Sequence, residues 1–123
     1  MQNTLVSIIT PSFNSAKTIC KTIEAVCAQT YTSLQYIIVD GCSTDNTVEI
    51  AESYRDELEE KGIEFIIVSE PDKGIYDAMN KGARLAKGDI IGIINSDDWY
   101  EKDAIEKMVD TYNKQPFDMF YAD

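Results

Sequence analysis

Three oxygen-bearing side chains, Asn95, Asp97 and Asp98, follow directly on a short apolar run, Ile-Ile-Gly-Ile-Ile, at positions 90–94. A run of that length and composition suits a strand buried on both faces, as in a parallel sheet. Open α/β sheets bind ligands at the carboxyl ends of such strands. Two neighbouring carboxylates at a strand end repel each other, and a bound divalent cation such as Mg²⁺ or Mn²⁺ relieves the repulsion because hard ions prefer oxygen ligands. The simpler alternative is that Asp97 or Asp98 caps a helix starting near Glu101. Both readings stand on the tripeptide alone.

The rest of the chain limits what such a site could do. Eleven Lys and Arg face 22 Asp and Glu with no His, a net charge of −11 over 123 residues. Nucleic-acid binding depends on neutralising phosphates with Lys and Arg, so a nucleic-acid partner is not expected. A phosphorylated small molecule would have to be held by a metal ion and backbone N–H groups, and acid–base chemistry would fall to carboxylates. Cys20, Cys27 and Cys42 are an odd number without metal-type spacing and are read as reduced thiols of a cytoplasmic protein. No apolar run approaches the length of a membrane span, and Met1 to Leu5 leads straight into a strand rather than a signal peptide. The length suits one domain, or part of one, with a real core.

The elements that would position the acids alternate. Val6 to Thr10 is a β-branched strand stopped by Pro11, and a helix capped by Asn14 or Ser15 follows, with Ile19, Ile23, Val26 and Cys27 on one face. Leu34 to Asp40 is a second buried strand. The turn from Gly41 to Thr47 feeds a helix with Val48, Ala51, Tyr54 and Leu58 at helical spacing, closed by Gly62. Glu64 to Val68 is the third strand and 75–86 the third helix, with Ile75, Ala78, Met79, Gly82 and Leu85 inward. The run ending at Ile94 is the fourth strand, 102–113 a helix, and 117–121 a fifth strand. Alternating strands and helices predict a mostly parallel sheet covered by helices on both faces. Parallel strands carry the loops at 11–14, 40–45, 70–73 and 95–98 to one rim, and that convergence marks a site more firmly than any loop alone.

Four blocks of sequence carry a resemblance: Ile-Ile-Thr-Pro-Ser-Phe-Asn at 8–14, Val-Asp-Gly-Cys-Ser-Thr-Asp-Asn-Thr at 39–47, Glu-Pro-Asp-Lys-Gly-Ile-Tyr-Asp-Ala-Met-Asn-Lys-Gly at 70–82 and Asn-Ser-Asp-Asp at 95–98. In order and spacing they resemble family 2 glycosyltransferases along nearly the whole chain. The resemblance implies a GT-A fold, a Rossmann-like three-layer sandwich, here cut short. It also implies a nucleotide-diphosphate sugar donor, a divalent metal (Mn or Mg) as cofactor, and inverting transfer to the hydroxyl of a saccharide or lipid-linked acceptor, as in surface polysaccharide synthesis. Residue by residue, it puts Thr10 and Pro11 against the nucleoside, with Asn14 of the same loop beside them, and Asp40 against the base. Asp72, Asn80 and Lys81 would flank base and ribose. Asp97 would lie near the ribose and diphosphate, and Asp98 would be the metal ligand, with Asp97 the second candidate. Asp40 as a plain loop acid and Lys81 on a solvated helix face remain the alternatives, and Asp45 reads as a turn or cap residue.

Two departures matter. The first acidic position of the family's metal motif is Asn95 here, a neutral carbonyl donor, and the common Asp-Asp-Gly-Ser becomes Asp40-Gly41-Cys42-Ser43, which lacks one acid near the base. The competing readings fare less well. A sugar nucleotidyltransferase would want a Gly- and basic-rich loop after the first strand, whereas 10–17 has one basic residue and no Gly. A phosphorylated receiver module would want acids there, and Pro11-Ser12-Phe13 has none. A non-catalytic nucleotide-binding fragment is the remaining rival.

In the family the acceptor-binding half and the base carboxylate follow the metal motif. Residues 1–123 are therefore expected to be the donor-binding part, with a membrane-peripheral setting open to a longer protein. Phe117, Met119, Phe120 and Tyr121 would form an apolar edge inviting pairing with another copy as a homodimer. A general base must reach the acceptor hydroxyl, so residues 1–123 alone should transfer no sugar in an assay across donors, metals and saccharide acceptors. Turnover equal to that of an extended protein would contradict this and point to an internal base such as Asp123.

Overall fold

The computed structural model describes residues 4–98, 100–114 and the strand at 119–121. Its elements run β1 (Val6–Ser12), α1 (Ile19–Cys27), β2 (Leu34–Asp40), α2 (Thr47–Glu52), α3 (Arg55–Glu60), β3 (Glu64–Ser69), α4 (Ile75–Leu85), β4 (Ile90–Ile93), α5 (Ala104–Lys114) and β5 (Met119–Tyr121). The strands form one sheet in the order β3-β2-β1-β4-β5. Every pairing is parallel, with Val6 of β1 level with Leu34 on one side and Ile90 on the other. The chain winds outward from β1 through β2 to β3 and then returns to β4 on the other side of β1. That reversal opens a crevice at the carboxyl ends of β1 and β4, the switch point where parallel sheets receive ligands.

Period-two alternation sorts the strand residues between two faces. Val6, Ile8, Tyr36, Ile38 and Ile90 pack on one face against Ile19, Ile23 and Val26 of α1, Ala51, Leu58, and Ile105, Met108 and Val109 of α5. Ile9, Ile37, Val39 and Ile93 face the other way and meet Ala78 of α4. The expected helices on both faces are therefore present. A fully buried aliphatic side chain contributes about 1.5–3 kcal/mol relative to exposure, so the larger α1/α5 face holds most of the stability. α1 shows why it lies there: its buried residues 19, 22, 23, 26 and 27 follow the spacing of one helical stripe. Cys27 is among them, and burial, followed by the neighbouring Glu57, pushes its thiol up to about 12. All three cysteines are free thiols.

Several boundaries differ from those expected of the sequence. β1 continues through Pro11 to Ser12. Proline is tolerated because alternate residues face alternate neighbours: Ile9 accepts from Ile94 on the β4 side, Ser12 accepts from Gly41 on the β2 side, and Pro11 faces the β4 side beyond the end of the β1–β4 pairing at Ile93. α1 begins only at Ile19, since Asn14 adopts a left-handed conformation (φ 48°) and neither it nor Ser15 is the cap; Thr18 is. The expected second helix is two, α2 and α3. The break between them lets Tyr54 donate to Glu24 on α1 while Arg55 turns to the carbonyl of Phe65 on β3. In α4, Ile75 and Leu85 are exposed rather than inward. The fifth strand forms, parallel to β4. Phe117 and Asp123, and the side chains at 119–121 on which the apolar edge was argued, lie outside the described residues. No helix among the described residues is long and apolar enough to cross a membrane.

The seating of α4 decides where its N-terminus falls. Ala78 and Gly82, four residues apart, are its buried positions, and a Cβ on Gly82 would stand 2.5 Å from Cγ2 of Ile9. Only glycine permits this approach. Gly82→Ala gains up to about 1 kcal/mol in helix propensity but overpacks a buried strand, which costs about 1–3 kcal/mol. A net loss of about 1 kcal/mol is expected in chemical denaturation, and a more stable variant would show that α4 is not held by this contact.

Candidate functional site

A cavity of about 660 Å³ opens at the switch point, lined by Pro11–Ser15 and Thr18, by Asp72, Gly74, Ile75 and Ala78, and by Asn95, Ser96 and Asp97. Its size is that of a site for a small organic ligand. Three of the four rim loops expected from the sequence contribute directly. The fourth, after β2, lies beneath and braces the others.

That bracing centres on Asp40, which is fully buried. Its Oδ1 accepts from the hydroxyls of Ser12 (2.9 Å) and Ser43 (2.5 Å), and its Oδ2 from the Ser43 amide (2.8 Å) and the Ser69 hydroxyl (3.0 Å). The carboxylate thus joins the ends of β1, β2 and β3. Asn14 extends the brace: its amide donates to Ser43 Oγ, and its side-chain oxygen accepts from the amides of Thr44 and Asp45. Asp45 accepts from the amides of Thr47 and Ala16 and from the Thr47 hydroxyl, whose bond is the main cause holding its carboxyl below the usual range. It is the turn residue that its sequence context suggested. Across the mouth of the crevice, the hydroxyls of Ser15 and Ser96 meet at 2.7 Å.

Of the site residues named from the sequence, Pro11, Asn14, Asp72 and Asp97 come together on the cavity wall. The others stand elsewhere, for reasons of periodicity. Thr10 alternates with Pro11, so it turns to the opposite face and pairs its hydroxyl with that of Tyr36 at 2.8 Å. Asp40 is below the floor. Asn80 sits two residues from both Ala78 and Gly82, on the exposed side of α4. Lys81 Nζ donates to the carbonyl of Pro71 (2.8 Å) and pairs with Glu70 (3.2 Å) and Asp77 (3.6 Å), so it is neither on a free helix face nor on the cavity wall.

Asp98 is half-buried next to Asp97, in a turn closed by its amide on the Asn95 carbonyl and held by the Thr22 hydroxyl on the Asp98 carbonyl. Burial, with a smaller contribution from the Asp98 charge, pushes the phenol of Tyr100 well above its ordinary value. Neither acid caps the following helix. α5 starts only at Ala104, and the Ile105 amide is met by Gln29 Oε1 from beyond α1.

Phe13, which no motif in the sequence marks as a site residue, is 59% exposed on the cavity wall. An aromatic residue inside a polar loop at a strand end was the available signal. Ile75 is exposed on the opposite wall for a related reason, since α4's first turn stands over the cavity rather than the core. Electrostatically the wall carries two carboxylates, Asp72 and Asp97, and none of its lining residues is basic. Among the described residues, no group of three or more His, Cys, Asp or Glu side chains is placed to hold a metal ion.

A parallel sheet with this order, with helices on both faces and a cavity at the switch point, is a GT-A-type architecture. Residues 7–123 match the family described as Glycosyl transferase family 2, and the chain belongs to that family. Over 110 residues it is 38% identical to a chondroitin synthase of Escherichia coli, covering 89% of this chain and 16% of that protein. The structure of S. aureus TarS 1-349 in complex with UDP-GlcNAc superposes with a TM-score of 0.78 at 26% identity, over 89% of this chain and 31% of that one. A mannosyltransferase of Pyrobaculum calidifontis in complex with GDP-Man and Mn²⁺ gives 0.70 at 26% identity, over 77% and 28%. The chain thus spans less than a third of each of these three proteins.

Because four donors converge on Asp40, Asp40→Ala orphans the Ser43 amide and three hydroxyls. Of these the Ser12 hydroxyl is buried and Ser43 half-buried, whereas Ser69 is exposed and can turn to water; an unsatisfied buried group costs about 1–3 kcal/mol. Denaturant unfolding should show a loss of at least about 2 kcal/mol, and a change within experimental error would show that the brace is dispensable.

Proposed function

We propose that this chain binds the nucleoside-diphosphate-sugar donor of a glycosyltransferase, in the cavity between β1 and β4, for metal-dependent, inverting transfer to a saccharide or lipid-linked hydroxyl in polysaccharide assembly. The observation that carries the proposal is the place and lining of the cavity: it opens at the sheet's switch point, with an exposed aromatic on one wall and carboxylates on the others. Phe13 offers a face for a base to stack on. The N-terminus of α4 also lies on the wall, its Lys73 and Gly74 amides already taken by Asp77 and Asp72. The relatives lend support, since TarS is known with UDP-GlcNAc and the mannosyltransferase with GDP-Man and Mn²⁺.

The charge balance argues for a divalent ion. A diphosphate entering a wall that carries Asp72 and Asp97 without a basic residue meets like charge, and only a cation arriving with it removes the repulsion. Mg²⁺ and Mn²⁺ are commonly held by one or two carboxylates, the remaining ligands being phosphate oxygens and water. The residues present fit that mode. Asp97 and Asp98 would hold the ion, with Asn95 and Ser96 offering neutral oxygens beside them. When bound, the metal would offset charge growing on the leaving diphosphate. The chain's own part is to seat the base, orient the diphosphate and bring the anomeric carbon to the open side of the crevice.

Titration calorimetry with UDP and GDP, with and without Mn²⁺, tests this. The protein should bind at least one of them more tightly with the metal. Asp98→Ala should abolish the metal-dependent part, at least a tenfold change in affinity, worth about 1.4 kcal/mol. Asp97→Ala, on the cavity wall, should weaken binding with and without metal. Mn²⁺-dependent affinity that survives in Asp98→Ala would remove it as the ligand.

A further inference from the structure

The loop between β3 and α4 is fixed more firmly than an exposed loop requires, and what it holds in place is Asp72. Lys81, on the second turn of α4, reaches back to the Pro71 carbonyl and pairs with Glu70 and Asp77, and its side chain is only 14% exposed. Asp77 in turn accepts from the Lys73 amide at 3.0 Å. Between these ties Asp72 Oδ1 accepts from the Gly74 amide at 3.1 Å, at a glycine with φ 117°. The carboxylate is therefore oriented before any ligand arrives.

Its position is set by a gap in another loop. Asp72 lies over Gly41, so close that a Cβ on Gly41 would stand 2.8 Å from Oδ2 and 3.3 Å from Oδ1. Gly41 is tied to β1 by its amide on the Ser12 carbonyl and cannot back away without breaking that bond. A side chain at 41 would therefore push the Asp72 carboxylate from its place. This protein has the glycine, and the acid reaches the cavity wall from β3–α4 instead. Asp40, one residue earlier, has both oxygens engaged by serines and no exposed surface.

We infer that Asp72, admitted by Gly41 and held by Lys81, is the residue that selects the base of the bound nucleotide. This rests on the donor-cavity reading above. A carboxylate only accepts hydrogen bonds. Uracil, thymine and guanine present a ring N–H on their pairing edge, whereas cytosine and adenine present a ring nitrogen lone pair there. An acceptor fixed on the cavity wall therefore favours the first group and opposes the second, through attraction to one and lone-pair repulsion from the other. Asp72 serves as the specificity-determining residue. Lys81 is a positioning residue, which acts only by holding the loop.

The test is the ratio of dissociation constants for CDP and UDP, and for CDP and GDP, measured with Mn²⁺ on the whole 123-residue chain. The unaltered protein should prefer UDP or GDP over CDP by tenfold or more. Asp72→Asn, whose amide offers donor as well as acceptor, should bring that ratio close to one while circular dichroism stays unchanged. Gly41→Ala, by displacing the carboxylate, should lower the ratio in the same direction, and Gly41→Ala combined with Asp72→Ala should discriminate no worse than Asp72→Ala alone. Lys81→Met should reduce the ratio and Lys81→Arg restore most of it, a rescue that a purely stabilising role would not show in discrimination. A ratio in Asp72→Asn equal to that of the unaltered protein overturns the inference and leaves the donor cavity standing. If no nucleoside diphosphate binds the unaltered protein at all, the donor-cavity reading falls and this inference with it.

Discussion

A single buried carboxylate holds the functional rim together. Asp40, at the end of β2, gathers donors from the ends of β1 and β3 and from its own following turn, so the loops leaving these three strands are tied to one another. A buried charge left without partners would be costly, and this arrangement meets it with four hydrogen bonds. Consequently, the carboxyl edge of the sheet is cross-tied from β1 to β3. Asn14 and Asp45 carry the same brace to the loop before α1, and Ser15 carries it to Ser96 beside the acids after β4. The cavity wall is shaped by bonds within the chain itself.

The two faces of the sheet divide the work. The α1/α5 face supplies most of the buried apolar surface and so most of the stability. The α4 face is thinner, and Gly82 lets α4 settle directly onto Ile9 of the central strand. This contact carries the first turn of α4 to the crevice and, through Lys81, fixes the loop in front of it. The small residues of one helix therefore decide where a carboxylate stands a full loop away.

Much of this could be read in the sequence. The run from Leu34 to Asp40 ends where expected because β-branched and apolar residues on both faces are unambiguous for a buried parallel strand, and the four polar loops share one rim because parallel pairing forces it. Less legible was which member of each loop faces the cavity. Thr10 and Pro11 are neighbours, and only the pleat decides between them. Asp40 and Asp72 both follow strands, yet three serines scattered through the sequence turn one inward, and a glycine 31 positions away from the other opens its place on the wall. Asn80 and Lys81 were assigned together from one helix, but a 100° step per residue separates exposed surface from an ion-pair clasp. Phe13 is not legible because an aromatic residue in a polar loop has no periodicity to place it.

The central claim is that the crevice between β1 and β4 holds a nucleoside diphosphate together with its metal. Backbone amide NMR of the protein titrated with UDP tests it most directly, first with Mg²⁺ and then with paramagnetic Mn²⁺. Shift changes confined to residues 11–18, 72–78 and 95–98 are expected, with Mn²⁺ broadening strongest around Asp97 and Asp98. Broadening centred instead on the groove between α1 and the segment 100–102, at Lys21, Glu24 and Lys102, would contradict it.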